Sequence, residues 1–437
     1  MLIKHKPDAY EKLQALSGMA TDDVLERSQS QARFAAAPTQ PRFGRKRQPV
    51  PGVYKAAMPN GKYISLMRTM FTDFCMLDCA YCPNSIYVPR KRVAFTVDEL
   101  SRLFMQYVDR HLVDGLFLSS GIAGSPDKTM DKMVQVVEAI RKKHGYKGYI
   151  HLKVMPGTSR PLVEEAFRLG SRLSVNIETP SAEMMERISP HKPYQAWILD
   201  QMSWINDLIR NRYGENGAVG QATQFVVGAA DETDWDILQR VRQLYKDWNL
   251  KRVYYQGFMP ARHTPLEEHP ATPPIREHRL YQLDWLTRVY QFKEEELRLS
   301  FDDRGFLYPE VDPKTMIAAQ TLEAGSVDIN AASRDDLIRV PGIGPLSTER
   351  ILRQRRYHSI DSWRDLKAMG VVRKRAEVFL RVSGERSQGA QLKLPLFQQE
   401  RPGQLPGVAA PATPGPGGVG KSGCAGCPVA CGGSVCA

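Results

Sequence analysis

Cysteine is scarce, with seven in 437 residues. So few thiols exclude a disulfide-stapled fold and suit a reducing compartment. The opening stretch MLIKHKPDAYEKLQ has no apolar segment of the signal-peptide kind, so no secretory signal is expected. No run of ~18 apolar residues occurs, which argues against a membrane-spanning helix. A cytoplasmic protein without membrane contact is the expectation. Acidic residues are outnumbered by basic ones, 48 to 60, leaving a net charge of +12. That excess fits solubility as well as attraction to polyanions. An apolar fraction of 42% is ordinary for a globular protein, and the length predicts two or three domains.

The few cysteines are not scattered. Cys75, Cys79 and Cys82 stand in CMLDCAYC, spaced C-x3-C-x2-C. Thiolates select zinc, copper(I) or iron–sulfur clusters, and a closed zinc site normally takes a fourth protein ligand. Three thiolates on one loop suit three corners of a [4Fe-4S] cubane, leaving one iron open to a small chelating molecule. The other four, Cys424, Cys427, Cys431 and Cys436, lie among glycines near the C-terminus. They could wrap a second metal, either one zinc or another cluster.

The loop and its Tyr81 resemble the signature of the radical S-adenosylmethionine (radical SAM) superfamily. The resemblance implies a [4Fe-4S] cluster, S-adenosyl-L-methionine chelating its open iron, reductive cleavage to a 5′-deoxyadenosyl radical, and an electron donor such as flavodoxin or ferredoxin. Its context agrees, because the β-leaning segment Tyr63–Phe74 runs straight into Cys75.

From residue 51 to about 320, short apolar runs alternate with amphipathic stretches. Strands are expected at Gly115–Ser120, Tyr149–Val154, Arg172–Ile177, Gln221–Val227 and Arg252–Gly257. Helices are expected at Val97–Asp109, Met130–Lys143, Pro161–Leu169 and Trp235–Trp248. This alternation implies parallel βαβ units, hence an α/β fold with a partial, open (β/α)6 barrel. Chemistry in such barrels sits at the C-terminal strand ends. By resemblance, Tyr81, Ser119, Ser120, Gly121, Asn176, Glu178 and Gly228 are candidate S-adenosylmethionine contacts. His263 stands where the superfamily's G-T-P-L turn has glycine. Tyr254, Tyr255, Arg262 and His263 are candidates for the entry of a substrate. No catalytic acid, base or radical-quenching side chain is identifiable.

The order of ISLMRTMFTDFCMLDCAYCPN, GLFLSSGI, GYIHLKVMPG, RLSVNIETP, TQFVVGA and LKRVYYQGFMP resembles a family of DNA modification/repair radical SAM proteins. It implies a uracil-DNA-glycosylase-like partner. Residues 326–386 then read helix, turn, helix, with PGIGP (Pro341–Pro345) between. This resembles a helix–hairpin–helix, expected as a small all-α domain that grips DNA phosphates without reading bases. A degenerate second copy turns at Gly370. Candidate DNA contacts are Gly342, Gly344, Arg373, Lys374 and Arg375. The region holds thirteen Lys/Arg against eight Asp/Glu. Packing or protein contact is the alternative use of the hairpin.

Two terminal segments complete the division. Residues 1–50 pair a helix, Tyr10–Ala20, with a basic stretch that serves either as a solvated arm or to track phosphates. Residues 387–437, rich in Gly, Pro and Ala, are expected to be disordered. Within them QLKLPLF resembles the peptide that docks on the bacterial β sliding clamp, through Gln391, Leu394, Leu396 and Phe397; a strand packing back on the barrel is the alternative. The function expected is a radical SAM enzyme of DNA modification or repair. An RNA-modifying enzyme and a non-catalytic iron–sulfur scaffold binding DNA and the clamp are the alternatives.

Overall fold

The computed structural model describes residues 7–19, 50–57, 63–211, 219–248, 250–382 and 385–386. The basic arm, the clamp-like peptide with Gln391, Leu394, Leu396 and Phe397, and Cys424, Cys427, Cys431 and Cys436 lie outside the described residues. The described residues belong to one compact unit.

Seven strands form one sheet in sequence order: β1 (Val53–Ala57), β2 (Tyr63–Met70), β3 (Gly115–Ser119), β4 (Tyr149–Lys153), β5 (Arg172–Ser174), β6 (Gly220–Val227) and β7 (Arg252–Gly257). β2 to β7 are all parallel, joined by helical crossovers, and make the open six-stranded barrel. β1, which the sequence pattern did not reveal, adds to β2 antiparallel, with Val53 facing Met67. Its five residues VYKAA carry too short an alternation to stand out.

The pleat divides the side chains. Met67, Leu116, Ile150, Leu173, Phe225 and Val253 point outward into the large core under the helices. Phe117, Ala222 and Tyr254 form a separate small cluster inside the bore. Helix Val97–Asp109 shows why local chemistry starts where it does. Thr96 and Glu99 form a reciprocal capping box, and the helix buries Leu100, Leu103, Phe104 and Tyr107 on one face. Helix Pro126–Glu138 starts four residues before the expected Met130, because Ser125 caps it and Pro126 takes the first position.

Downstream, helices Arg334–Arg339 and Pro345–Gln354 flank one turn, and Trp363–Ala368 and Arg373–Ala376 flank another. Gly342 (φ +87°) and Gly370 (φ +91°) occupy the left-handed region in the corresponding turns. The all-α expectation is incomplete. β8 (Val327–Asp328) pairs parallel with β9 (Leu380–Val382), which pairs with β10 (Glu385–Arg386), so a small sheet ties the two ends of this region together.

The helical pairs are packed on the chain that follows the barrel. Arg339 pairs with Glu296 at 2.6 Å, and Arg375 with Asp312 at 2.6 Å. Buried Lys314 donates to the Ile343 carbonyl at 2.5 Å and lies 4.6 Å from the Tyr290 ring. Burial, with Arg375 nearby and Asp312 opposing, holds the Lys314 ammonium down to about 7 from 10.5. The unfolded chain therefore holds this proton up to higher pH than the folded one. The penalty of the buried cation is full below pH 7 and fades as pH rises toward 10.5. Thermal unfolding across pH 6–10 is the check: Lys314→Met should raise the melting temperature most at the acid end, and the gain should shrink as pH rises.

Candidate active site

Chain leaving β2 becomes irregular, so its backbone groups need partners outside any ladder. Arg92 supplies them. Its guanidinium donates to the carbonyls of Asp73 (2.5 Å), Asn84 (2.9 Å), Ser85 (2.8 Å) and Val88 (3.1 Å), drawing both ends of the cysteine loop onto one side chain. Asp73, buried, accepts from the Val93 N–H at 2.6 Å and pairs with Arg90 at 3.1 Å. From the next strand end, Gly121 donates to the Thr72 carbonyl at 2.7 Å, and a Cβ there would lie 2.3 Å from the Phe74 carbonyl oxygen. Only glycine permits that approach.

Cys75, Cys79 and Cys82 are free thiols on one wall of a cavity of about 500 Å³. The cavity opens at the C-terminal ends of the parallel strands. Tyr81, Ser120, Gly121, Asn176 and Glu178 line it with them. Ser119 is instead buried on β3 and does not line it. Gly228 lies outside the lining too: its N–H is taken by the Glu232 carboxylate and its Cα faces Thr272. Arg262 and His263 lie at the mouth. Tyr254 and Tyr255 point to opposite faces, as neighbours on a strand must. Tyr254 enters the bore cluster, whereas Tyr255 packs edge-on to Tyr281 among the outer helices and is no entry residue. His263 has φ +65°, in the left-handed region that a glycine would enter without strain.

An element the sequence did not announce covers the cysteine loop. The segment Ser189–Lys192 follows helix Ala182–Ile188. The Ser189 hydroxyl lies 3.2 Å from the Cys79 sulfur, and His191 Nδ1 lies 2.6 Å from the Asp78 carboxylate. Lys192 is buried; its ammonium donates to the Tyr81 hydroxyl at 3.0 Å and pairs with Glu178 at 3.4 Å. Burial alone would lower the Lys192 pKa, but Cys79, Glu178 and Cys82 reverse this and hold it above its ordinary value. No periodic pattern marks Lys192, since it sits in a loop whose fold depends on contacts more than 100 residues away in sequence.

These residues fit a cluster with one open iron. Among the described residues no three His, Cys, Asp or Glu side chains converge on a point for a single metal ion. A cubane does not ask for convergence, because each thiolate binds its own iron. The sulfurs also have donors of the kind that tune such ligands: the Asn84 N–H reaches Cys82 Sγ at 3.4 Å, and the Lys192 cation offsets thiolate charge. One Glu178 oxygen is buried without a hydrogen-bond partner, so the cavity wall has acceptor capacity left for a ligand. Burial pushes the Cys75 thiol up, which an iron–thiolate bond would offset.

Arg92→Lys and Gly121→Ala should each lower the iron bound after anaerobic reconstitution several-fold while leaving far-UV circular dichroism unchanged. A lysine's point charge cannot span four carbonyls, and an added Cβ displaces the loop. His263→Gly should leave the melting temperature unchanged or raised. His263→Val, β-branched at positive φ, should lower stability by roughly 1–2 kcal/mol in thermal unfolding.

Residues 69–244 match the family described as the radical SAM superfamily. Among solved structures, similar folds include HydG, a maturase of the [FeFe]-hydrogenase (14% identity, 51% of this chain, 50% of that one, TM-score 0.42). Methylornithine synthase PylB is similar at 13% identity, over 49% of this chain and 60% of that one, with a TM-score of 0.40. SuiB of Streptococcus suis bound to S-adenosylmethionine is similar at 13% identity, over 51% of this chain and 48% of that one, with a TM-score of 0.39. The matches span about half to three-fifths of those chains. Among curated proteins none matches. Among the described residues no helix is long and apolar enough to cross a membrane. The match to the radical SAM superfamily thus holds for residues 69–244, which include the cysteine loop that follows the first parallel strand.

Proposed function

We propose that this protein is a radical SAM enzyme that modifies or repairs a nucleotide in DNA. Cys75, Cys79 and Cys82 would hold the [4Fe-4S] cluster, and the strand-end residues would hold S-adenosylmethionine. When bound, these groups supply a carbon-centred radical that abstracts a hydrogen atom. The protein's own share is to place and shield that reaction. Lys192 and Tyr81 order one cavity wall, and Glu178 offers an acceptor.

One observation carries the DNA assignment: two helix pairs with left-handed glycines in their turns, tied back to back by the Val372 N–H and the Gly342 carbonyl at 3.0 Å. Such an arrangement would suit a paired helix–hairpin–helix, and the region holds thirteen basic residues against eight acidic ones. The candidate contacts divide by environment. Lys374 is exposed, Arg373 pairs with Glu377 at 2.9 Å beside the Trp363 ring, and Arg375 is committed to Asp312. Lys374 therefore suits a phosphate better than Arg375 does, and Arg375 suits docking of the module. The uracil-DNA-glycosylase-like partner, a flavodoxin- or ferredoxin-type donor, a clamp contact and a second metal in the cysteine-rich tail belong to this proposal without support from the described residues.

Anaerobic reconstitution followed by dithionite reduction tests the chemistry: the protein should release 5′-deoxyadenosine from S-adenosylmethionine, and Cys79→Ser should abolish release. Intact cluster without cleavage would sink the assignment. Duplex DNA binding should weaken steeply with salt, and Lys374→Ala should weaken it evenly across sequences.

A further inference from the structure

The cavity carries a row of polar side chains of which the candidate cofactor contacts account for Asn176 alone. Four consecutive parallel strands each send one polar side chain into the cavity: Lys153 from β4, Asn176 just past β5, Gln224 from β6 and Gln256 from β7. The alternation of the pleat puts them all on the bore side. Asn176 is 7% exposed and Gln224 5% exposed. The side-chain amides of Asn176, Gln224 and Gln256 have no hydrogen-bond partner among the described residues, although each lines the cavity. Immediately beneath them the bore closes. His151 bonds Ser174 at 2.9 Å, and the space left beside Phe117 and Tyr254 is about 10 Å³, roughly enough for one water. The amide belt is therefore the floor on which a ligand comes to rest.

Two adjacent strands aim glutamines into the cavity, beside Phe225 and Tyr255 that face the outer core. A ligand that covered these amides without pairing them would lose about 1–3 kcal/mol. A carboxamide offers an acceptor and a donor side by side in one plane, the complement of a heterocycle edge that carries the same pair. A phosphate has no donor for the amide oxygens, and an apolar ring would satisfy neither half of an amide. We propose that Gln224 and Gln256, beside Lys153, form a substrate-reading floor that takes the hydrogen-bonding edge of a nucleobase turned out of its stack into the cavity. This rests on the DNA assignment above.

The test uses the full-length protein, reconstituted and with S-adenosylmethionine, and duplexes carrying one central unpaired nucleotide in four versions, plus a matching abasic duplex. Wild type should bind at least one base-bearing duplex about tenfold tighter than the abasic one. Gln224→Leu and Gln256→Leu should bring base-bearing binding down to the abasic level. Abasic binding and S-adenosylmethionine affinity by equilibrium dialysis should stay within about twofold of wild type. Gln224→Asn, keeping the amide, should retain part of the preference and shows that the site has not collapsed. Equal wild-type binding of base-bearing and abasic duplexes would overturn the floor while leaving the DNA assignment standing. A loss of S-adenosylmethionine affinity with base preference intact would overturn it by giving the amides to the cofactor. Failure to bind any duplex would overturn the DNA assignment, and the floor with it.

Discussion

A cluster-binding loop must be irregular enough to present three thiols and rigid enough to hold them apart. The guanidinium of Arg92 reconciles these demands. Its bonds to the carbonyls of Asp73, Asn84, Ser85 and Val88 replace the ladder that the chain gives up on leaving β2. A planar, permanently charged fork is the one side chain that can serve so many acceptors at once. Gly121 then sets the loop against the second parallel strand, and Ser189–Lys192 covers it from the far side. Cysteine geometry, cavity shape and the charge around the thiols all follow from a loop held in this way.

The barrel adds a division of labour by side-chain parity. Alternate residues of β2 to β7 face the helices and are apolar, and they carry the hydrophobic stabilisation. Their neighbours face the bore, where few apolar groups are present and polar ones meet a cavity. Stability and ligand binding thus use different halves of the same strands, so the bore can be polar without weakening the core. The pairs Tyr254/Tyr255 and Val253/Tyr254 show this most directly, since one residue of each belongs to the outer core and the other to the bore.

The six parallel strands were legible because each is a short apolar run between turn signals, and their boundaries agree with expectation to within a few residues. Helix Pro274–Arg288 and the segment to Thr321 were not, because their role is to pack on β7 and on the helical pairs, and their own pattern is weakly amphipathic. The cysteines, Tyr81, Ser120, Gly121, Asn176 and Glu178 could be named in advance because they follow strands in sequence. Arg92 and Lys192 could not, because each acts through loop carbonyls or distant side chains that only the folded chain brings near.

Composition and order alone pointed to a cluster, since a C-x3-C-x2-C loop after a strand suits three corners of a cubane with one open iron; the reaction class came from the loop's resemblance to the radical SAM signature. They also determined the parallel barrel, since a period of two alternating with a period of 3.6 admits few other solutions. Tertiary structure decided which strand-end residues share the cavity. It excluded Ser119 and Gly228, gave Arg375 to Asp312, and brought Lys192 to the thiols and three amides to one cavity. These are relations between strands, and they depend on stagger and loop closure, for which no local stretch of sequence carries a signal.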